Sequence, residues 1–273
     1  MDGLTDTPLD NIQGEAPLSR RILPDILAFA IGLALAYYLE WETTDLVWSL
    51  WLCSLVLGYT TILAAIGGGA YILANLVRHV EPVQRYRKPV LAGGIGIGLF
   101  LFGFFSLHFC GFHAGHSVFL NQFFPVEGMP KDGFGAAFMN PPLLWKLVFT
   151  HLLQPYGIFI IPALIAERKH VFRPLARAIE LVQVIRGGES NIKEINFDAV
   201  SVKTKGQRFF HDMMGRPYIN VVRMHLLIFF FAISHFMKMD SFIIYAVVYA
   251  VYFFPWGEIL DLRKRHLPTS TSQ

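Results

Sequence analysis

Long apolar stretches alternate with short polar connections over most of the chain. A helix needs about 20 apolar residues to cross the roughly 30 Å hydrocarbon core of a bilayer. Six stretches meet this length, and they cover residues 22–40, 47–77, 89–124, 142–166, 218–238 and 241–259. The pattern therefore predicts an all-α, polytopic membrane protein, built as a bundle of about six transmembrane helices.

The composition agrees with this prediction and limits the class of protein. Of the 273 residues, 54% are hydrophobic and 16% are charged, whereas an average soluble domain carries about 25% charged residues. The basic residues lie between the apolar stretches and form no patch, which argues against nucleic-acid binding. The sequence predicts one membrane domain over residues 20–266 in contact with the lipid bilayer. A disordered tail at 1–19 and a short tail at 267–273 flank it.

Arginine and lysine concentrate in alternate connections between the apolar stretches. They are Arg20, Arg21, Arg78, Arg85, Arg87, Lys88, Arg168, Lys169, Arg173, Arg177, Arg263, Lys264 and Arg265. The connections on the other side of the bundle carry Glu40, Glu42 and Asp45, then residues 125–141, then a tight turn at 238–240. Because connections rich in basic residues stay in the cytoplasm, both termini are predicted to be cytoplasmic.

Residues 170–216 form the one sizeable cytoplasmic segment in this arrangement. Apolar side chains recur there at helical spacing, with basic residues between them, and the pattern ends at Gly187 and Gly188; the apolar positions are Phe172, Leu175, Ile179, Val182 and Ile185. This pattern predicts an amphipathic helix at the inner membrane surface, held by apolar burial and by attraction to anionic lipid. A docking surface for a cytoplasmic protein partner stays open as the alternative.

Glycine and proline residues predict close packing and irregular helix geometry. Gly94 and Gly98 have the small-xxx-small spacing that lets two membrane helices approach closely. Pro155 lacks the amide hydrogen that would bond the carbonyl of His151, so we expect a kink beside that histidine.

Histidine is the residue type that suggests a functional site. The chain has ten histidines, and six fall in or near apolar stretches: His108, His113, His116, His151, His225 and His235. Ionisable residues are rare inside membrane segments and usually face the bundle interior. One histidine could be explained by an interhelical hydrogen bond worth about 0.6–2 kcal/mol. Six histidines on three predicted helices are hard to explain by such hydrogen bonds alone.

Helical geometry divides these histidines into two groups. At about 100° per residue, all three histidines of residues 89–124 can face one interior sector. His113 and His116 are near enough to reach one centre, whereas His108 and His116 differ by about 12 Å in height. If Phe124 and Pro142 mark the outer ends of their helices, His116 and His151 both lie about 12 Å deep.

These heights predict one metal site and one possible second centre. The metal site would combine His113, His116, His151 and His235 in the outer half of the bilayer. The deeper His108 and His225 could form another centre or supply the two axial ligands of a haem.

The ligand chemistry favours a transition metal or haem. Imidazole binds Fe, Cu and Zn well, whereas magnesium and calcium prefer oxygen ligands. The leading hypothesis is metal or haem binding, with a membrane metal-dependent oxidoreductase as the possible enzyme class. A transporter or membrane-assembly protein, whose histidines line a hydrated cavity or bridge helices, stays open as the alternative. The HxxHH, HExxH and CxxCH motifs are absent from the sequence, so no catalytic residue can be assigned.

Two stretches resemble a known family. The residues DLVWSLWLCSLVLGY (45–59) and HFCGFHAGHSVFL (108–120), followed by FFP (123–125), are similar to a family of uncharacterised bacterial integral membrane proteins known as a domain of unknown function. The resemblance implies a six-span body in the bacterial inner (cytoplasmic) membrane. It implies no activity and no role for any residue.

Overall fold

A computed structural model of the protein describes residues 18–187 and 242–253 and, between them, positions 207, 226, 229–231, 233, 234, 236 and 237. The regular structure of these residues is helical throughout, with one π-helical turn, one 3₁₀ turn and no strand. The predicted all-α class is therefore confirmed for this part of the chain.

Ten α-helices have both ends among the described residues. They are α1 (Leu18–Tyr38), α2 (Thr43–His79), α3 (Glu81–Arg85), α4 (Arg87–Phe123), α5 (Gly133–Ala136), α6 (Pro141–Leu147), α7 (Leu153–Tyr156), α8 (Ile160–Val171), α9 (Arg173–Gly187) and α10 (Phe242–Phe253). A π-helical turn at Val148–Leu152 joins α6 to α7, and a 3₁₀ turn at Gly157–Phe159 joins α7 to α8.

Three helical elements of the described chain are long and apolar enough to cross a membrane. They are Thr43–His79, Arg87–Phe123 and the composite element Pro141–Arg186, and Ile22–Tyr38 is a shorter apolar helix. The predicted span 218–238 falls mainly outside the described residues, and the span 241–259 is described only as α10. The three long helices make this a helical membrane protein, and the six-span count stays a prediction.

Helices α2 and α4 pack antiparallel against each other. The Trp48 indole Nε1 donates to the Phe124 carbonyl at 2.8 Å. Further along, the Tyr59 and Ser106 hydroxyls are 2.9 Å apart. Both helices have 37 residues, or about 55 Å at 1.5 Å per residue, which exceeds the roughly 30 Å hydrocarbon core.

Glycines set the distance between α2 and α4 at two points. A Cβ atom at Gly58 would lie 2.3 Å from the Phe109 ring, and one at Gly94 would lie 2.1 Å from a Leu73 methyl group. A Cβ atom at Gly98 would meet no heavy atom within 4 Å. The predicted close packing therefore holds at Gly94, whereas Gly98 lies in open space.

The connection after α4 folds back along that helix. A Cβ atom at Gly111 would lie 3.1 Å from the Phe138 carbonyl oxygen, although Gly111 precedes the helix end at Phe123 by about 18 Å. We call residues 125–140 the re-entrant segment. Because Phe138 lies beside Gly111, Pro142 is not level with the end of α4, and the depth of His151 counted from Pro142 stays a prediction.

The helical element that follows the re-entrant segment is irregular beside His151, where Pro155 predicts a kink. Pro155 cannot donate to the carbonyl of His151, and His151 lies in the π-helical turn Val148–Leu152. Such single π-turns are frequent at functional sites.

Tyr249 of α10 packs against α1 and the 3₁₀ turn Gly157–Phe159. The Tyr249 ring stacks on Phe29 with centroids 5.0 Å apart and lies 5.3 Å from the Phe159 ring. Its hydroxyl donates to the Ala28 carbonyl at 3.4 Å. A Cβ atom at Gly32 would lie 2.0 Å from this hydroxyl, so a glycine is needed there.

Candidate functional site

His113 lies fully enclosed between α2 and α4. Its exposed fraction is 0%. The ring Nδ1 is 3.0 Å from the Phe109 carbonyl oxygen, and Nε2 is 3.2 Å from the Ser54 hydroxyl. Because a carbonyl only accepts, Nδ1 carries the proton, and Nε2 accepts from the serine. The two bonds fix one neutral tautomer and orient the ring.

His116 lies beside His113 on the same helix. Its exposed fraction is 8%, and the centroids of the two imidazole rings are 6.2 Å apart. The structure thus brings together the two histidines that the three-residue spacing predicted to be neighbours. We call His113 and His116 the histidine pair.

Aromatic side chains enclose the histidine pair. The Trp51 indole Nε1 donates to the His113 carbonyl at 3.2 Å, and its ring meets the His113 ring edge-on at 5.8 Å. The Phe109 ring lies 4.4 Å from His113 on the other side. Because the surroundings are buried and aromatic, a ligand held here would be protected from water.

Two glycines allow the re-entrant segment to contact the helix of the histidine pair. Gly111 faces the Phe138 backbone, and a Cβ atom at Gly115 would lie 3.4 Å from the Phe138 ring. The stretch GFHAGHS therefore combines a glycine groove for the segment with two buried histidines. The small-xxx-small spacing of Gly111 and Gly115 could have revealed this groove.

Ser54 and Trp51 are further site residues that the histidine pattern did not reveal. They lie on α2, three residues apart and hence on the same side of that helix. The spacing shows that they share a face, but only the packing of α2 on α4 shows that this face meets His113.

His108 lies away from the histidine pair, on the exposed side of α4. Its ring stacks on Phe104 at 5.4 Å and meets Phe112 edge-on at 4.9 Å. The expectation that all three histidines of this helix face one interior sector is therefore wrong for His108. Its predicted haem partner, His225, lies outside the described residues, so that pairing stays a prediction.

His151 lies half-buried next to the re-entrant segment. A Cβ atom at Gly128 would lie 3.7 Å from its Nδ1. Gly128 has a positive φ of 71°, a conformation that glycine adopts without strain. His235, the fourth predicted metal ligand, lies outside the described residues.

The described residues contain no group of three or more His, Cys, Asp or Glu side chains placed to hold a metal ion. The histidine pair can therefore supply two ligands, and further ligands have to come from elsewhere. The predicted four-histidine site stays a prediction because His235 is one of its members.

The fold and its long apolar helices define the class as helical membrane proteins. Within that class, the chain belongs to a family of unknown function, DUF6498, whose model matches residues 14–188. The matched range includes α1 to α9, the re-entrant segment and the histidine pair. No curated protein and no solved structure matches the chain.

Proposed function

We propose that this protein binds a transition metal ion or a haem within the membrane, with the histidine pair supplying the first ligands. The observation that carries the proposal is the burial of two imidazoles, 6.2 Å apart, in an apolar protein interior. Ionisable side chains are kept inside a membrane bundle at a cost, and they commonly mark functional sites.

The tautomer of His113 suits a metal ligand. Metal-binding histidines usually donate the other ring N–H to a carbonyl or carboxylate, which fixes the ring and leaves one nitrogen lone pair for the metal. His113 donates through Nδ1 to the Phe109 carbonyl. Its Nε2 then offers a lone pair, which the Ser54 hydroxyl contacts.

The spacing of the two rings also suits a shared ion. Imidazole nitrogens bind zinc at about 2.0–2.1 Å, and two rings on one ion then have centroids about 5–6.5 Å apart, depending on the ligand angle. The separation of 6.2 Å lies near the upper end of this range, so the rings would have to move about 1 Å closer for the tetrahedral angle of a zinc site. Imidazole ligands favour Fe, Cu and Zn, and His235 or His151 would complete the coordination after local movement.

The proposal includes the placement of the site in a cell membrane. The pattern of basic connections supports cytoplasmic termini and a six-span body, and the resemblance supports the inner membrane of a bacterium. On this placement, the re-entrant segment enters the bundle from the outer side.

Metal analysis and absorption spectroscopy of the purified protein test the proposal. We expect iron, copper or zinc at about one equivalent per chain, or a haem Soret band, with the amount reduced at least tenfold in His116→Gln. His170→Ala is the matched control, because His170 is exposed and pairs with Glu167. The proposal is wrong if folded wild-type protein binds none of these metals, and no haem, when they are supplied.

One observation favours a second candidate function. The hydrogen bond between His113 and Ser54 joins α4 to α2, as expected if the histidines hold helices together in a membrane-assembly protein. This role predicts that His113→Gln loses helix packing or a partner, while metal content stays at background in every variant.

A further inference from the structure

Between its two ends, the re-entrant segment forms hydrogen bonds only with itself among the described residues. The backbone bonds of residues 127–139 close within the segment, for example from the Gly133 N–H to the Pro130 carbonyl at 2.8 Å. The charged side chains of the segment are exposed, and they are Glu127, Lys131 and Asp132. Packing alone therefore holds the middle of the segment on the helices beside it.

Asparagine side chains anchor both ends of the segment. Asn121 Oδ1 of α4 accepts from the Val126 N–H at 2.9 Å, and Asn140 Oδ1 accepts from the Leu143 N–H of α6 at 3.2 Å. Gly128 follows just after the first anchor, with a φ of 71° that glycine adopts without strain. The segment can therefore move between two fixed ends without losing a hydrogen bond to the described helices.

One buried ring of the segment packs on α2. Phe134, in the one-turn helix α5, is 3% exposed and stacks on the Trp48 ring with centroids 5.4 Å apart. Its centroid also lies 6.1 Å from that of Trp51. Both indoles are held in place, because Trp48 donates to the Phe124 carbonyl and Trp51 donates to the His113 carbonyl. In this aromatic contact, Phe134 is the ring that no hydrogen bond holds.

The same aromatic contact lies against the histidine pair. The Trp51 ring meets Phe134 and also meets the His113 ring, the latter at 5.8 Å. With the segment in place, His113 is 0% and His116 is 8% exposed, so an ion from water reaches them only if a neighbouring element moves. Helix α2 is hydrogen-bonded to α4 at several points, whereas the middle of the segment is not.

We infer that the re-entrant segment is a gate over the histidine pair, and that the Phe134 ring holds this gate closed. A divalent ion such as Zn²⁺ enters and leaves when Phe134 moves away from Trp48 and Trp51, and the closed gate keeps water from a bound ion. The inference rests on the proposed function, because it describes how exchange at that site is controlled. Local opening of this kind is typical of segments held by few contacts.

A thiol on the covered face of the segment measures opening without any metal. Ala137 is fully buried, so the thiol of Ala137→Cys is covered in the closed gate and reaches water when the segment moves out. The full chain is placed in lipid nanodiscs, and the rate of labelling with a water-soluble maleimide is measured. The chain without this substitution is the blank, because Cys53 and Cys110 are buried.

Phe134→Ala, added to this reporter chain, removes the ring that holds the gate. The labelling rate should rise by about tenfold or more, because the burial of a whole aromatic ring is lost. Phe159→Ala is the matched control. Its ring is also fully buried, but it packs against Trp41 and Tyr249, away from the segment. The labelling rate should not change in this control.

The rates of zinc exchange then test whether the gate acts on the histidine pair. In Phe134→Ala, loading with Zn²⁺ and its release to an excess of chelator should both become faster, by about the factor seen in labelling, because a gate acts in both directions. Zinc content at saturation should stay within about twofold of that of the wild-type chain, because both histidines are retained.

Two results overturn the gate: unchanged labelling in Phe134→Ala, or faster labelling with unchanged zinc release. Failure of the proposed function gives a different result, because the wild-type chain itself would then take up no zinc. That result would overturn the gate as well, since no ion would be exchanged at the pair. The zinc content of the wild-type chain therefore distinguishes the two failures.

Discussion

The two halves of α4 differ sharply in what surrounds them. In residues 90–104 the side chains are apolar and mostly exposed, for example Phe100 at 69%. In residues 105–123 the buried side chains include Ser106, His113, His116 and Ser117. The half that carries the polar residues has one face inside the protein, and the apolar half is mostly outside.

This difference follows because lipid, and not water, is the solvent around the helix. Lipid solvates apolar side chains as well as a protein interior does, so there is little hydrophobic gain in burying residues 90–104. Imidazole and hydroxyl groups find no hydrogen-bond partners in hydrocarbon. The protein must supply those partners, and α2 does so for Ser106 through Tyr59 and for His113 through Ser54.

The largest effect should come from removing a buried ring. Phe109 is 1% exposed and fills the space beside Gly58, so Phe109→Ala leaves a cavity. We expect the free energy of unfolding to fall by an amount near the low end of about 3–5 kcal/mol. The low end applies because lipid solvates apolar groups, so burying the ring gains less than it would in water. Phe100→Ala, on the exposed half, should change the free energy of unfolding by no more than about 0.5 kcal/mol. Reversible unfolding in mixed micelles measures both, and equal losses would contradict the contrast.

A smaller effect should come from filling the glycine groove. Gly111→Leu places a side chain against the Phe138 backbone, so the re-entrant segment has to move, at a cost of about 1–3 kcal/mol. Gly103→Leu is the control, because a Cβ atom there would meet no heavy atom within 4 Å. Protease cleavage within residues 125–140 should increase only in Gly111→Leu. Unchanged cleavage in both variants would argue against the groove.

The smallest effect should come from single hydrogen bonds at the histidine pair. Ser54→Ala removes the contact to His113 Nε2, and Trp51→Phe removes the donor to the His113 carbonyl. Each loss should be about 0.6 kcal/mol, the average for such bonds in membrane proteins. If metal binds through Nε2, metal content should persist in Ser54→Ala. A loss of several kcal/mol in unfolding experiments would mean that these bonds hold the helices together.

The helices could be predicted from the sequence better than their contacts. Apolar length and periodicity predicted the long helices Thr43–His79 and Arg87–Phe123, because the bilayer dictates both. The path of residues 125–140 could not be predicted, since a polar connection does not show that it returns into the bundle. The return depends on a fit between Phe138 and two glycines that lie on another element.

The candidate site could be predicted only in part, because the sequence shows helical spacing but does not show which helices pack together. The spacing of His113 and His116 placed them on neighbouring positions of one helix, which needs only helical geometry. His108 was predicted to share their sector because it lies about 140° around the helix from His113. The buried side chains of α4 instead extend from Phe105 past His113 on the side away from His108. Ser54 and Trp51 join the site through packing of two helices, which no local pattern in the sequence records.

X-ray absorption at the metal edge of the purified, metal-loaded protein tests the central claim most directly, because it counts imidazole ligands. The account predicts nitrogen ligands at about 2.0–2.1 Å with scattering from at least two imidazole rings, and the loss of one ring in His116→Gln. A spectrum with no imidazole scattering, or one unchanged in His113→Gln and His116→Gln, would show that the histidine pair is not the metal site.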